Sequence, residues 1–235
     1  MIEELKKELN KQADPKRAKS KHRFFMAYKG GYGEGDEFLG LTVPIQRAIS
    51  KKFYKEISIK EAGTLLTERK HEYRLTAVFI LNLKYEKAKT EVEKENIVNE
   101  YLKNISGVNN WDIVDSSAYK ILGPFLIDKN KELLYNLLDS NDLWKQRIAI
   151  ITTLHFIKHG LYDDTLEMSK RMLNHKHDLI HKAAGWMLRE IGNRNFEVEY
   201  NFLKKHYKKM PRTMLRYAIE KFDEDLRQEF LKGKI

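Results

Sequence analysis

In the stretch NNWDIVDSSAY (109–119), Trp111 and Asp115 stand four residues apart. On a helix that spacing projects an indole and a carboxylate from one face, a turn apart. Asp115 is thereby a candidate for chemistry, an acid beside an aromatic plane. Asp112 falls in what reads as the first turn of the same helix, where a negative charge complements the macrodipole, and it reads as a helix-start charge. Asp115 also has a plainer reading, a buried ion pair with Arg147 or another base, because structural ion pairs perturb acids as well. Two W-x-x-R pairs follow, Trp144 with Arg147 and Trp186 with Arg189. Each can lay an indole beside a guanidinium that forks onto phosphate. Trp186, Arg147 and Arg189 are the ligand-facing candidates, and Trp144 reads as packing. In PRTMLRYAIEKF, Arg212 and Arg216 share one helix face, as a phosphate clamp or a solvated edge.

Other constellations carry less. His175, His177 and His181 lack the glutamate of an H-E-x-x-H zinc motif, and Lys176 and Lys182 would repel a cation, so no metal is expected. Glycines 30, 31, 33 and 35 lack both the G-K-[ST] ending and the βαβ setting of a phosphate loop. They read as a loop or short hairpin near the ligand, since glycine permits close backbone approach. The absence of cysteine excludes disulfides, thiolate metal sites and a cysteine nucleophile, and it fits a reducing cytoplasm. No cofactor is expected. No run approaches the roughly 18 apolar residues of a membrane span, and the N-terminus MIEELKKELNKQ lacks an apolar signal region. A cytoplasmic protein with no membrane partner is expected.

The elements that must hold these residues are helices. Hydrophobic residues make up 42% of the chain and only four prolines and twelve glycines interrupt it. Apolar residues recur at three and four in 73–83, 143–157 and 181–191, the spacing of buried helices. Segment 28–44, rich in glycine, is the exception and predicts a loop or short hairpin. Laid over one another, Arg147-Ile-Ala149, Lys182-Ala-Ala184 and Arg216-Tyr-Ala218 place a base two residues before an alanine, at separations of 35 and 34 residues. Arg74-Leu-Thr76 resembles an earlier copy. That period, with two helices per unit, predicts an all-α architecture, an α-solenoid of HEAT or tetratricopeptide type. Asp115-Ser-Ser117 lies 32 residues before Arg147 and 41 after Arg74, so an acid occupies a register given elsewhere to a base. The bases are expected to line one concave edge with Asp115 among them. Asn109 or Asn110, Asn141 or Asp142, and Asp178 read as helix starts, and Pro124 and Pro211 as helix boundaries. No linker separates domains, so residues 1–235 read as one. The net charge of +10 points to a polyanionic partner, nucleic acid first, or to a solvated basic surface.

The motifs WDIVD (111–115), LWKQR (143–147) and GWMLRE (185–190) run in order with FLGLTVPIQR (38–47) and MPRTMLRYAIEKF (210–222). Together they span nearly the whole chain, which resembles the AlkD-type DNA alkylation repair proteins. The resemblance implies a HEAT-like solenoid with a basic concave groove for duplex DNA. It also implies monofunctional glycosylase activity that releases cationic N3- and N7-alkylated purines. By motif, Asp115 is then the catalytic carboxylate, with Trp111 and Trp186 against the lesion's deoxyribose. Arg147 contacts phosphate beside the lesion and Arg189 supports the backbone grip. Lys182, Arg212 and Arg216 join them as expected DNA contacts. The lesion's sugar is engaged from the groove and the base is left outside a tight pocket. The sequence departs from the family's catalytic pattern at Asn110, which stands where a second tryptophan is expected. Phe24, Phe25, Tyr28 and Tyr32 all compete as the N-terminal aromatic contact, and the glycine-rich segment differs from the family's compact connection. Some relatives of this fold bind distorted or branched DNA without excising a base, which makes a non-catalytic DNA-binding protein the alternative. A protein–protein adaptor is disfavoured by the basic charge. The expected partner is double-stranded DNA, alkylated, distorted or branched. The expected state is a monomer, nucleoid-associated when bound.

Overall fold

The computed structural model describes residues 1–235, and its regular structure is entirely helical. In chain order the helices are α1 (Ile2–Lys11), α2 (Pro15–Phe24), α3 (Val43–Phe53), α4 (Ile59–Leu66), α5 (His71–Lys87), α6 (Glu91–Lys103) and α7 (Trp111–Leu126). They continue as α8 (Glu132–Leu138), α9 (Leu143–Lys158), α10 (Asp163–Arg171), α11 (Asp178–Gly192), α12 (Phe196–His206), α13 (Arg212–Ala218) and α14 (Glu224–Lys232). The all-α expectation holds. The register residues Arg74, Asp115, Arg147, Lys182 and Arg216 fall on every second helix, α5, α7, α9, α11 and α13. The chain divides into two compact units, Met1–Phe125 and Leu126–Ile235.

In the first unit α5 is the central element. Residues His71–Leu81 are all buried, because α3, α4 and α6 pack around it. Its apolar residues therefore cover most of its circumference rather than one stripe. α7 is tied to the same core by Asn82 Nδ2, which donates to the Ser116 carbonyl at 2.8 Å, and by Tyr101 Oη at 3.0 Å from Ser117 Oγ. Ser58 and Thr90 begin α4 and α6 with complete capping boxes, satisfying backbone N–H groups that the helices leave unpaired. Segment 28–42 is a loop, and Val43 and Pro44 already begin α3. The loop's one strand-like feature is an isolated parallel bridge between Glu37 and Lys70, so of the two expected forms the hairpin is absent. The buried Glu72 carboxylate anchors the loop's far end, accepting from Leu39 N (2.8 Å) and Gly40 N (3.0 Å) and pairing with Lys21 (3.2 Å).

In the second unit α8 packs on α9, α9 on α11 and α11 on α13, while α10 and α12 also lie against α11. The approach of α11 to α13 requires glycine. A Cβ on Gly185 would lie 2.4 Å from the Met214 carbonyl oxygen and 2.6 Å from Tyr217 Cβ. Two boundary expectations need correction. Pro124 lies inside α7, two residues before its end, where loss of one N–H affects only the final turn. His177 caps α11: its Nδ1 accepts from Leu179 N at 3.2 Å, and Asp178 is the first helical residue.

Candidate functional site

Within the first unit the candidate site is built at the start of α7. Asn110 is fully buried and its amide has two tasks: Oδ1 accepts from Trp111 N (2.9 Å) and Nδ2 donates to Asp36 Oδ2 (3.1 Å). The place where a second tryptophan was expected is thus a polar anchor between α7 and the glycine-rich loop. Asp112 is in the first turn, as expected, but it does more than complement the macrodipole. Its Oδ2 lies 2.9 Å from His71 Nε2, while His71 Nδ1 lies 3.1 Å from Asp36 Oδ2. Asp36 Oδ1 in turn accepts from Arg74 Nη2 at 2.6 Å. Arg74 also donates to the Glu68 and Arg69 carbonyls and is buried, so this base does not line an open edge as its register suggested.

Two acids, a histidine and an arginine therefore form one buried chain of charges. Burial by itself pushes the Asp36 carboxyl upward, but hydrogen bonding from His71 and the charges of Arg74 and His71 outweigh it and leave the group below its ordinary value. Burial likewise favours neutral His71, and the Asp112 carboxylate with its hydrogen bond outweighs it, so the ring's pKa is raised.

Aromatic rings enclose this chain. His71 packs against Phe25 and Phe38, with centroids at 4.8 and 5.0 Å, and those two rings stack on each other at 5.4 Å. Phe25 also contacts Trp111 at 5.3 Å, and Phe24 meets it edge-on at 5.8 Å. Trp111 Nε1 donates to Tyr32 Oη (3.3 Å), which donates to the Phe24 carbonyl (3.2 Å). These contacts sort the competing N-terminal aromatics. Phe25 is core, Tyr32 supports the indole, and Phe24 and Tyr28 are the exposed pair, at 63% and 48% exposure. The loop folds back so tightly that a Cβ on Gly33 would lie 2.4 Å from the Phe25 carbonyl oxygen. Asp115 lies on α7, half-buried, a turn beyond the half-buried Trp111.

The remaining site candidates belong to the second unit. Arg147, on α9, is buried and donates through Nη1 to the Leu179 carbonyl at 2.5 Å. On α11, Lys182 pairs with Asp178 at 2.8 Å, and Trp186 Nε1 donates to Glu190 Oε1 at 3.2 Å. Arg189 pairs with Glu220, so the indole and guanidinium of this W-x-x-R unit answer to different carboxylates. On α13, Arg212 and Arg216 are both exposed, and Arg212 donates to the Leu231 carbonyl. Trp144 is half-buried near the start of α9, where Asp142 caps the helix by accepting from Trp144 N and Lys145 N. The three histidines are each hydrogen-bonded, His175 to Gln146 Oε1 on α9, His177 to Leu179 N, and His181 to the His175 carbonyl. No group of three or more His, Cys, Asp or Glu side chains is arranged to hold a metal ion.

Asp36, His71 and Arg74 as a linked set were not visible in the sequence. The available signal was an acid inside a glycine-rich segment and a histidine heading a buried helix, neither of which names its partner.

Paired helices without a sheet, with an indole and a carboxylate on one helix and arginine-bearing helices packed side by side, define an all-α helical protein with a basic character. The chain belongs to the DNA alkylation repair enzyme family, whose sequence profile matches residues 5–222. Its fold is similar to that of a structure titled predicted DNA alkylation repair enzyme from Enterococcus faecalis, with a TM-score of 0.66 over 91% of this chain and 98% of that one. Sequence identity between the two is 16%, so the likeness is one of fold. A comparison with curated proteins gives no match. No helix is long and apolar enough to cross a membrane.

Proposed function

We propose that the protein is a DNA glycosylase that hydrolyses the N-glycosidic bond of cationic N3- or N7-alkylated purines in duplex DNA. The observation that carries this reading is the pairing of Trp111 with Asp115 a turn apart on α7, in a member of this repair family. An alkylated purine already carries positive charge and leaves readily, so the enzyme's task is to stabilise the sugar rather than to protonate the base. As the C1′–N bond breaks, its electron pair departs with the purine and the sugar becomes oxocarbenium-like. The Asp115 carboxylate stabilises that charge while water attacks C1′ and releases a proton. Trp111 packs against the deoxyribose. Arg147, Arg189, Lys182, Arg212 and Arg216 hold phosphates. The protein acts as a monomer on nucleoid DNA in the cytoplasm.

The test is release of 3-methyladenine and 7-methylguanine from methylated duplex. Asp115→Asn should lower the single-turnover rate about 100- to 1,000-fold. Absence of release by the wild-type protein would sink the glycosylase reading, and equal release by the variant would remove Asp115 from its role. The buried polar Asn110 favours one second reading, a non-catalytic protein that binds distorted or branched DNA, because no second indole stands beside Trp111. Tight, salt-sensitive binding to branched duplex with no base release would establish it.

A further inference from the structure

We propose that His71, held as an imidazolium between Asp36 and Asp112, is a positioning residue that sets the face of α7 carrying Trp111 and Asp115. The inference deepens the glycosylase reading and rests on it for its kinetic consequence only. Both ring nitrogens lie within hydrogen-bond distance of a carboxylate oxygen. A neutral imidazole has one N–H and cannot satisfy both, whereas the imidazolium donates twice. Moving the proton to Asp36 is disfavoured, because that carboxylate also accepts from Arg74 and Asn110. Asp112 presents one oxygen to His71, and its other, buried oxygen has no hydrogen-bond partner, so the imidazolium is the charge that balances it.

Every charged group of the chain then has an opposite neighbour: Asp36 and Asp112 against His71 and Arg74. The imidazole also packs against the mutually stacked Phe25 and Phe38, whose ring faces favour a cation. The neighbouring acid on α5, Glu72, is engaged by Lys21 and two backbone amides and does not compete for the ring. His71 is the first residue of α5 and Asp112 lies in the first turn of α7. Their hydrogen bond therefore joins the starts of two helices, and Asn110 joins the same network one residue before Trp111. Losing the imidazolium frees the first turn of α7 to rotate or fray, moving the indole and the carboxylate from their common face. Misplacement of about an ångström at a reacting centre lowers rates up to about 100-fold.

The test compares the full-length protein with His71→Gln and Asp112→Asn. In nitrogen-detected NMR spectra, both His71 ring nitrogens of the wild type should be protonated at pH 7, with a midpoint above the ordinary histidine value. Asp112→Asn should keep the fold and lower that midpoint. His71→Gln should shift the Trp111 indole N–H resonance and slow excision about 10- to 100-fold at saturating DNA, with affinity changed less than about twofold. The ratio of wild-type to variant rate should fall as pH rises through the His71 midpoint, which a merely structural loss would not produce. A neutral His71 at pH 7, or an unmoved Trp111 resonance, would overturn the proposal. Should the wild-type protein release no base at all, the glycosylase reading fails, and the NMR midpoints and the indole shift still decide the role of His71. A His71→Gln protein that is unfolded would leave the decision to Asp112→Asn. An unshifted midpoint in that variant counts against the proposal and a lowered one supports it.

Discussion

Individual side chains change meaning once their partners are known. Asp112 read as a helix-start charge, and it is one, yet it also closes a buried chain of four charges through a histidine 41 positions earlier. Asn110 is a cap whose second function, holding Asp36, gives a physical reason for a polar residue there. Glu199 offers a sharper case. It is buried beside Gly192, its Oε1 has no hydrogen-bond partner, and burial raises its pKa to about 9 against the lowering influence of Arg189. The native state therefore keeps a proton that the unfolded chain releases near the ordinary glutamate value of 4.5. Because the native state binds more protons over that range, stability falls as pH rises from 4.5 to about 9. Glu199→Gln should match the wild type near pH 5 and exceed it by on the order of 2–3 kcal/mol at pH 7–8. Denaturant unfolding at the two pH values measures this, and identical curves at both would exclude a buried neutral acid.

At the scale of elements, the recurring design is a helix whose close neighbour dictates its residue sizes. Gly185 in GWMLRE sits where α11 meets α13, and its Cβ would press on the Met214 carbonyl and on Tyr217. In an isolated helix Gly→Ala gains about 1 kcal/mol. Here overpacking against backbone is the larger effect, so Gly185→Ala should lower stability by about 1–3 kcal/mol overall. A raised melting temperature for that variant would mean the two helices separate at no cost. The glycine-rich loop obeys the same logic in reverse: its small residues let the backbone fold over Phe25, which leaves Tyr32 Oη at the Nε1 edge of the Trp111 indole.

For the whole molecule the governing quantity is charge. A net charge of +10 in a repair family that acts on alkylated DNA favours a phosphate-dominated interaction, in which bound cations are displaced from DNA as the protein docks. Affinity for duplex should fall steeply with salt. Arg212 and Arg216, exposed together on α13, should each account for about one unit of the log–log slope. Their double alanine variant should weaken binding to all duplex sequences alike and flatten the slope by about two units. An unchanged slope would place both residues on a solvated edge.

Much of the fold was legible in the sequence because helical periodicity is local. Spacing at three and four identified the buried helices, and the base–x–alanine register fell on alternate helices as expected. The all-α class follows from the same pattern and from the scarcity of breakers. The pairing of Trp111 with Asp115 needed only i and i+4 on one helix. The sequence could not rank Phe24 against Phe25, Tyr28 and Tyr32, or say that Arg74 is buried against Asp36. Nor could it say that His71 lies between two acids. Those last contacts join residues 35, 38 and 41 positions apart, and no local rule fixes which distant groups share a desolvated interior. The sequence by itself thus determined the helices and the chemistry they could offer. Tertiary structure alone decided which charges are neutralised in the core and which remain at the surface, because that choice depends on burial created by packing.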